Sequence, residues 1–255
     1  MTTELILLLL GYAGWGLLVG HVVGLTAIGK ALLGTPGLIV LFGMPPVTAV
    51  GTMAVAGCAM MTTGTLQHIR QRTVVLPIAV LFSITAIPAA YLTARHAAAI
   101  DEIVPLKNII GAILIISVVV LFYRYIILRP KPRVLVVSPR AKRAAPLLGL
   151  VFGALAGATS ISGSIIVIAF IMLLKLPSPH AVGTTSAVAA ISLLPASVAH
   201  IGQSNVDWTA VVGLLPGVVV GSTLGARYVN RVPRQALRVV ILIVLLAAAV
   251  LVIAN

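Results

Sequence analysis

The sequence predicts an all-α polytopic membrane protein of two inverted-topology repeats, each a re-entrant or broken helical hairpin followed by three transmembrane helices. Three observations carry this reading. Of the 255 residues, 60% are hydrophobic and only 8% charged, whereas a soluble domain carries about a quarter charged residues. The same landmarks recur at an offset of 132 or 133 residues: Gly16-Leu17-Leu18-Val19-Gly20 and Gly149-Leu150-Val151-Phe152-Gly153, Pro45 and Pro177, Ala49-Val50-Gly51-Thr52 and Ala181-Val182-Gly183-Thr184, His68 and His200, Arg95 and Arg227. The basic residues, finally, gather at the ends of apolar runs and sort to one side of a membrane.

Apolar segments fall at 5–29, 31–43, 47–67, 73–94 and 104–123, then at 146–161, 163–175, 180–199, 208–226 and 236–254. Several approach the roughly 20 residues a helix needs to cross a bilayer. Alternating strands of about ten residues are absent, which disfavours a membrane β-barrel. The first repeat is taken as 1–128 and the second as 146–255. Between them, 129–145 reads as a basic, proline-punctuated cytoplasmic linker and a loop: Arg129-Pro130-Lys131-Pro132-Arg133 through Arg140-Ala141-Lys142-Arg143.

The first two segments of each repeat are too short to be two ordinary spans. Residues 146–175 number thirty, while two crossings need about forty. Small polar residues interrupt both pairs, at Thr26-Ala27-Ile28-Gly29-Lys30 and at Thr159-Ser160-Ile161-Ser162-Gly163-Ser164. Each pair therefore reads as a hairpin that enters and leaves on one side. Irregular backbone at that depth survives only where protein or a water-filled cavity surrounds it.

A hairpin plus three crossings reverses orientation, so the second repeat should be inverted, with both termini outside. Charge agrees with that count. With the linker inside, fourteen of the seventeen Lys and Arg residues lie in inside loops, only Arg95 and Lys107 lie outside, and Lys30 sits in a hairpin break. All four acids, Glu4, Asp101, Glu102 and Asp207, fall outside. The net charge of +13 then reflects membrane orientation and contact with anionic lipid; a nucleic-acid partner is not expected. The start Met1-Thr2-Thr3-Glu4 has no basic n-region, so a cleaved signal peptide is not expected. Cys58 is the only cysteine, which leaves no internal disulfide and no thiolate metal cage.

A glycine-spaced helix, a small-residue break, Pro, then Ala-Val-Gly-Thr, then His and an Asp-Trp pair resemble the TauE/SafE family across essentially the whole chain. The best-fitting stretches are Leu176-Pro177-Ser178-Pro179-His180-Ala181-Val182-Gly183-Thr184-Thr185-Ser186 and His200 through Asp207-Trp208. Where members carry a Gly-Gly-Gly run, this chain has Gly29-Lys30-Ala31 and Ser162-Gly163-Ser164, and Val75-Leu76 stands where the first repeat's Asp-Trp would fall. The resemblance implies a bacterial inner-membrane, multi-pass secondary transporter that exports sulfite or an organosulfonate such as sulfoacetate, not an enzyme.

The residues supply a physical route to such an anion. A helix interrupted in mid-membrane presents backbone N–H groups and a partial positive charge. Thr26, Gly29, Lys30, Thr159, Ser160, Ser162, Gly163 and Ser164 at the breaks, with Gly51, Thr52, Gly183 and Thr184 on the helices beside them, form the expected substrate site. For each hydroxyl the other reading is a bond to a carbonyl one turn back; for the glycines it is packing alone. Lys30 is either a positive pole of the site or a snorkelling anchor. His68 and His200 terminate equivalent helices and are candidates for a proton or anion relay, or simple interfacial hydrogen bonding. The ladders Gly16/Gly20/Gly24, Gly149/Gly153/Gly157 and Gly217/Gly221/Gly225 read as close helix packing.

No Asp or Glu lies within a span, which disfavours a carboxylate relay. An enzyme would need a nucleophile, metal cluster or carboxylate pair, and the chain offers no such set. An anion channel of the same architecture stays open as the alternative. No cofactor, metal or nucleotide is expected; the expected partners are a small anion and membrane lipid, with a homo-oligomer left open.

Overall fold

The computed structural model describes residues 3–26, 33–123, 135–160 and 163–228. These form ten helices and no strand among the described residues: α1 (Thr3–Thr26), α2 (Thr35–Phe42), α3 (Pro46–Arg70), α4 (Leu76–Arg95), α5 (Ala97–Ile103), α6 (Leu106–Phe122), α7 (Pro139–Thr159), α8 (Gly163–Met172), α9 (Ser178–Gly202) and α10 (Trp208–Tyr228). Six of them, α1, α3, α4, α7, α9 and α10, are long and apolar enough to cross a membrane. This is a multi-pass membrane protein. The tenth segment, 236–254, and residues 129–134 of the basic linker lie outside the described residues.

The repeat is visible in the backbone. Helices α3 and α9 are each 25 residues long and start 132 residues apart. Both begin after a proline, Pro45 and Pro177, and carry another at the first or second helical position, where a missing N–H costs nothing. Left-handed residues recur at the same offset, Gly43 with Lys175 and Arg72 with Ser204. So do the turn bonds they allow, Thr73 N–H to His68 O and Asn205 N–H to His200 O, both 3.0 Å.

Close backbone contacts show the helix directions. Leu214 and Val218 of α10 lie against Gly16 and Gly20 of α1, while Phe82, Ala86 and Ala90 of α4 lie against Gly149, Gly153 and Gly157 of α7. Both pairs therefore run parallel, each joining the first helix of one repeat to the fourth of the other. Helices α3 and α9 instead run antiparallel: Gly51 at the start of α3 meets Asn205 beyond the end of α9, and Gly183 near the start of α9 meets Thr73 beyond the end of α3.

The glycine ladders are the reason the parallel pairs pack so closely. A Cβ on Gly217 would strike Ala13 O, one on Gly157 would strike Ala90 O, and one on Gly16 would lie 2.6 Å from Leu214 O. Bilayer lipid gives helices no hydrophobic reason to associate, so such close backbone approach supplies the dispersion contact instead. In the α4–α7 pair, Thr85 and Thr93 add hydroxyl bonds to Pro146 O and Ala154 O, 2.5 and 2.8 Å. Large apolar side chains such as Leu7, Ile84, Leu194 and Val212 stay exposed on the outside, the face that acyl chains cover.

Two expectations change. The linker was expected to be loop through residue 145, but α7 begins at Pro139: Ser138 Oγ accepts the Ala141 N–H at 3.1 Å and Pro139 occupies the first turn. This cap starts a helix seven residues before the apolar run, so Arg140, Lys142 and Arg143 lie on helix. A short α5, unforeseen from the apolar pattern, precedes α6, and its Asp101 Oδ1 accepts the Leu106 N–H at 2.6 Å.

Candidate functional site

In each repeat a long first helix is followed by one too short to cross: eight residues in α2 and ten in α8. In the second repeat α7 ends at Thr159, followed by Ser160 in the left-handed region (φ 58°). Both residues are wholly buried. Thr159 Oγ1 donates to Leu155 O, one turn back, at 2.7 Å, so that hydroxyl takes the local alternative. Gly163, also buried, opens α8. Gly29, Lys30 and Ser162 lie outside the described residues, as do the side chains of Thr26 and Ser164.

His200 stands beside this break. Its Nε2 is 3.1 Å from Gly157 O. A carbonyl accepts only, so Nε2 carries the proton and Nδ1 is left as the bare acceptor. Nδ1 is buried without a partner. His68 is only half-buried, and its Nδ1 is 3.0 Å from Thr73 Oγ1. The equivalent histidines are thus in unequal surroundings.

Gly51-Thr52 and Gly183-Thr184 join the repeats. Thr52 Oγ1 accepts the Asp207 N–H at 3.0 Å, and Thr184 Oγ1 accepts the Val75 N–H at 2.9 Å. The glycine before each threonine lets the opposite loop approach: a Cβ on Gly51 would strike Asn205 O, and one on Gly183 would lie 2.5 Å from Thr73 Oγ1. Because α3 and α9 are antiparallel, the two clasps stand at opposite ends of the pair, about 30 Å apart at 1.5 Å per residue. The structure brings Gly51 and Thr52 near His200 and the second break, and Gly183 and Thr184 near Thr73 and His68; it does not gather all four into one pocket. Asp207 also caps α10, its Oδ1 accepting the Ala210 N–H at 3.0 Å.

Sequence reasoning passed over two polar groups of the first repeat, Trp15 on α1 and Thr35 on α2. Trp15 Nε1 and Thr35 Oγ1 are both buried and have no hydrogen-bond partner. The periodic pattern gave no sign of them, since a tryptophan in an apolar helix looks like packing and Thr35 adjoins a proline turn. Thr85 and Thr93 were equally overlooked; their eight-residue spacing opposite a four-residue glycine ladder is the signal that finds them.

The bundle defines a multi-pass helical membrane protein with a sequence repeat, in which buried hydroxyl groups and a buried histidine lie among the helices. The chain belongs to the TauE/SafE family: the family described as "Sulfite exporter TauE/SafE" matches residues 12–252. It is similar to "Probable membrane transporter protein YjnA" of Bacillus subtilis (strain 168), at 34% identity over 90% of this chain and 94% of that protein. A second relative from the same organism, "Probable membrane transporter protein YdhB", is 27% identical over 87% of this chain and 90% of its own length. No solved structure matches the chain.

Proposed function

We propose that this chain is a secondary transporter that exports a small sulfur-containing anion, sulfite or an organosulfonate such as sulfoacetate, across the bacterial inner membrane by alternating access. The anion is held at the hairpin breaks. The observation that carries the reading is a helix interruption enclosed by the bundle, with Thr159 and Ser160 at 0% exposure in a chain that is 60% hydrophobic. Gly157 lies against Ala90 of α4, fourteen residues after Leu76, or about 21 Å along the helix. That depth is about two-thirds of a 30 Å hydrocarbon layer. Family membership and the transporter names of both relatives support the same assignment.

Helix directions support an inverted arrangement of the repeats. Antiparallel α3 and α9, with α4 parallel to α7 and α1 parallel to α10, leave Arg70, Arg72, Arg140, Lys142, Arg143 and Lys175 at one end of the bundle. Glu4, Asp101, Glu102 and Asp207 fall at the other. The basic end is then cytoplasmic. Single cysteines in a Cys58→Ala background should be labelled from the cytoplasm at position 70 and from outside at positions 101 and 205. Labelling of 70 and 205 from the same side would overturn the inverted topology.

Flux into proteoliposomes tests the function. Saturable counterflow of labelled sulfite or sulfoacetate is expected, with no unitary current in planar bilayers. Unitary currents without counterflow would make the protein an anion channel, and silence toward sulfite, sulfoacetate, taurine, sulfate and thiosulfate alike would refute the assignment.

A further inference from the structure

We infer that the groove between α3, α4 and α9 holds one acyl chain of an anionic phospholipid, with the lipid phosphate on Arg72 at the groove's mouth. Helices α3 and α4 follow one another across a short turn, yet both pack against α9 and not closely against each other. The space left between them is about 800 Å³. Each helix lines it with a stripe at i, i+3, i+4 and i+7 spacing, within residues 62–69 of α3, 76–87 of α4 and 187–194 of α9, the register that puts side chains on one helical face. The lining residues Ala79, Ala187 and Ala190 are small and buried, while Leu66, Leu76 and Ile84 are exposed. The groove is therefore recessed between the helices and opens sideways, toward lipid.

Its wall suits hydrocarbon. The hydroxyls of Thr62 and Thr65 are donated to Cys58 O and Met61 O at 2.8 and 2.7 Å. That of Ser83 is buried without a partner, and a carbonyl one turn back is within its reach by rotation of the side chain. Length points to a lipid tail: Leu76 and Ile87 bound the α4 stripe and stand about 16 Å apart at 1.5 Å per residue. That is about half of a 30 Å hydrocarbon layer, the depth of one leaflet. Charge points to the headgroup. Arg72 lines the groove beside the start of α4 and is exposed on its left-handed turn; a guanidinium is always charged and matches phosphate geometry. Arg70, Arg140, Lys142, Arg143 and Lys175 stand at the same end of the bundle, and the four acids at the other. That field favours a lipid with net negative charge over a zwitterion. At the matching turn of the second repeat the residue is Ser204, so this cation belongs to one leaflet alone.

The test uses the full chain in phosphatidylcholine vesicles with a trace of phosphatidylglycerol that carries a diazirine near the end of one acyl chain. On photolysis, cross-links should concentrate at the inner end of the groove, within residues 62–66, 83–87 and 191–194. R72Q removes the charge at an exposed turn. One cation near an anionic surface is worth about 1 kcal/mol, so labelling there should fall about fivefold, while labelling by a phosphatidylcholine with the same chain stays at the parent level. V80W fills the groove from a half-exposed position and should abolish groove labelling by both lipids at the parent's melting temperature. S83A should label as the parent does, because an acyl chain offers that hydroxyl no partner. Labelling spread evenly over outward positions such as Leu7 and Val212, or parent-like labelling of R72Q, would overturn the inference. Loss of labelling in S83A would overturn it too, since the occupant would then carry a polar group at depth. An unlabelled groove in a chain that elutes as a dimer would give the site to a second copy instead.

Discussion

Gly153→Leu and Gly217→Leu should each abolish the folded bundle. A Cβ on Gly153 would lie 2.6 Å from the Cα and O of Ala86, and one on Gly217 would strike Ala13 O and lie 2.6 Å from Leu17 N. These neighbours are backbone, so no side-chain rotation can relieve the clash; α7 must separate from α4, or α1 from α10. Overpacking a core costs about 1–3 kcal/mol even where side chains can yield, and here the loss extends along the whole helix pair. Gly14→Leu and Gly64→Leu provide the control, because a Cβ at either position meets nothing within 4 Å. Size-exclusion profiles of the four variants in detergent decide the matter. A monodisperse, parent-like Gly153→Leu would show that the ladder does not hold the bundle together.

Removing the two clasps should cost nearly as much. Thr184→Val leaves the buried Val75 N–H without its acceptor, and Thr52→Val does the same to the Asp207 N–H. At about 1–3 kcal/mol for each orphaned group, the double variant loses about 2–6 kcal/mol. The clasps are far enough apart for the losses to add. Thr184→Val should be the more damaging single change, because its bond is buried while that of Thr52 is only partly so. Thr→Ser keeps the hydroxyl and should restore most of the melting temperature in both cases. Equal melting temperatures for the double valine variant and the parent would mean that these bonds hold nothing. Both substitutions also separate frame from site, since Thr52 and Thr184 were expected among the substrate-binding residues and the structure engages each hydroxyl between the repeats.

The membrane character, the helical class and the end of α7 at Thr159 were legible in the sequence because each depends on local composition. Apolar length reveals a span, a proline announces the start of α3 and α9, and the offset of 132 residues exposes the repeat without any knowledge of contacts. The start of α7 was missed by seven residues because Ser138 and Pro139 initiate a helix in a basic stretch whose composition suggests a loop.

What the chain does with its polar residues was decided only by the tertiary structure. Thr52 and Thr159 look alike in sequence, yet one reaches across to the other repeat and the other bonds one turn back along its own helix. His68 and His200 occupy matching positions, but only His200 is sealed against a carbonyl of α7. Trp15 reads as one more apolar residue until α2 folds over it and isolates its N–H. A hydrogen bond is directional and short, so its partner depends on which helices meet and at what register. Apolar length and periodicity carry the first of these facts weakly and the second not at all.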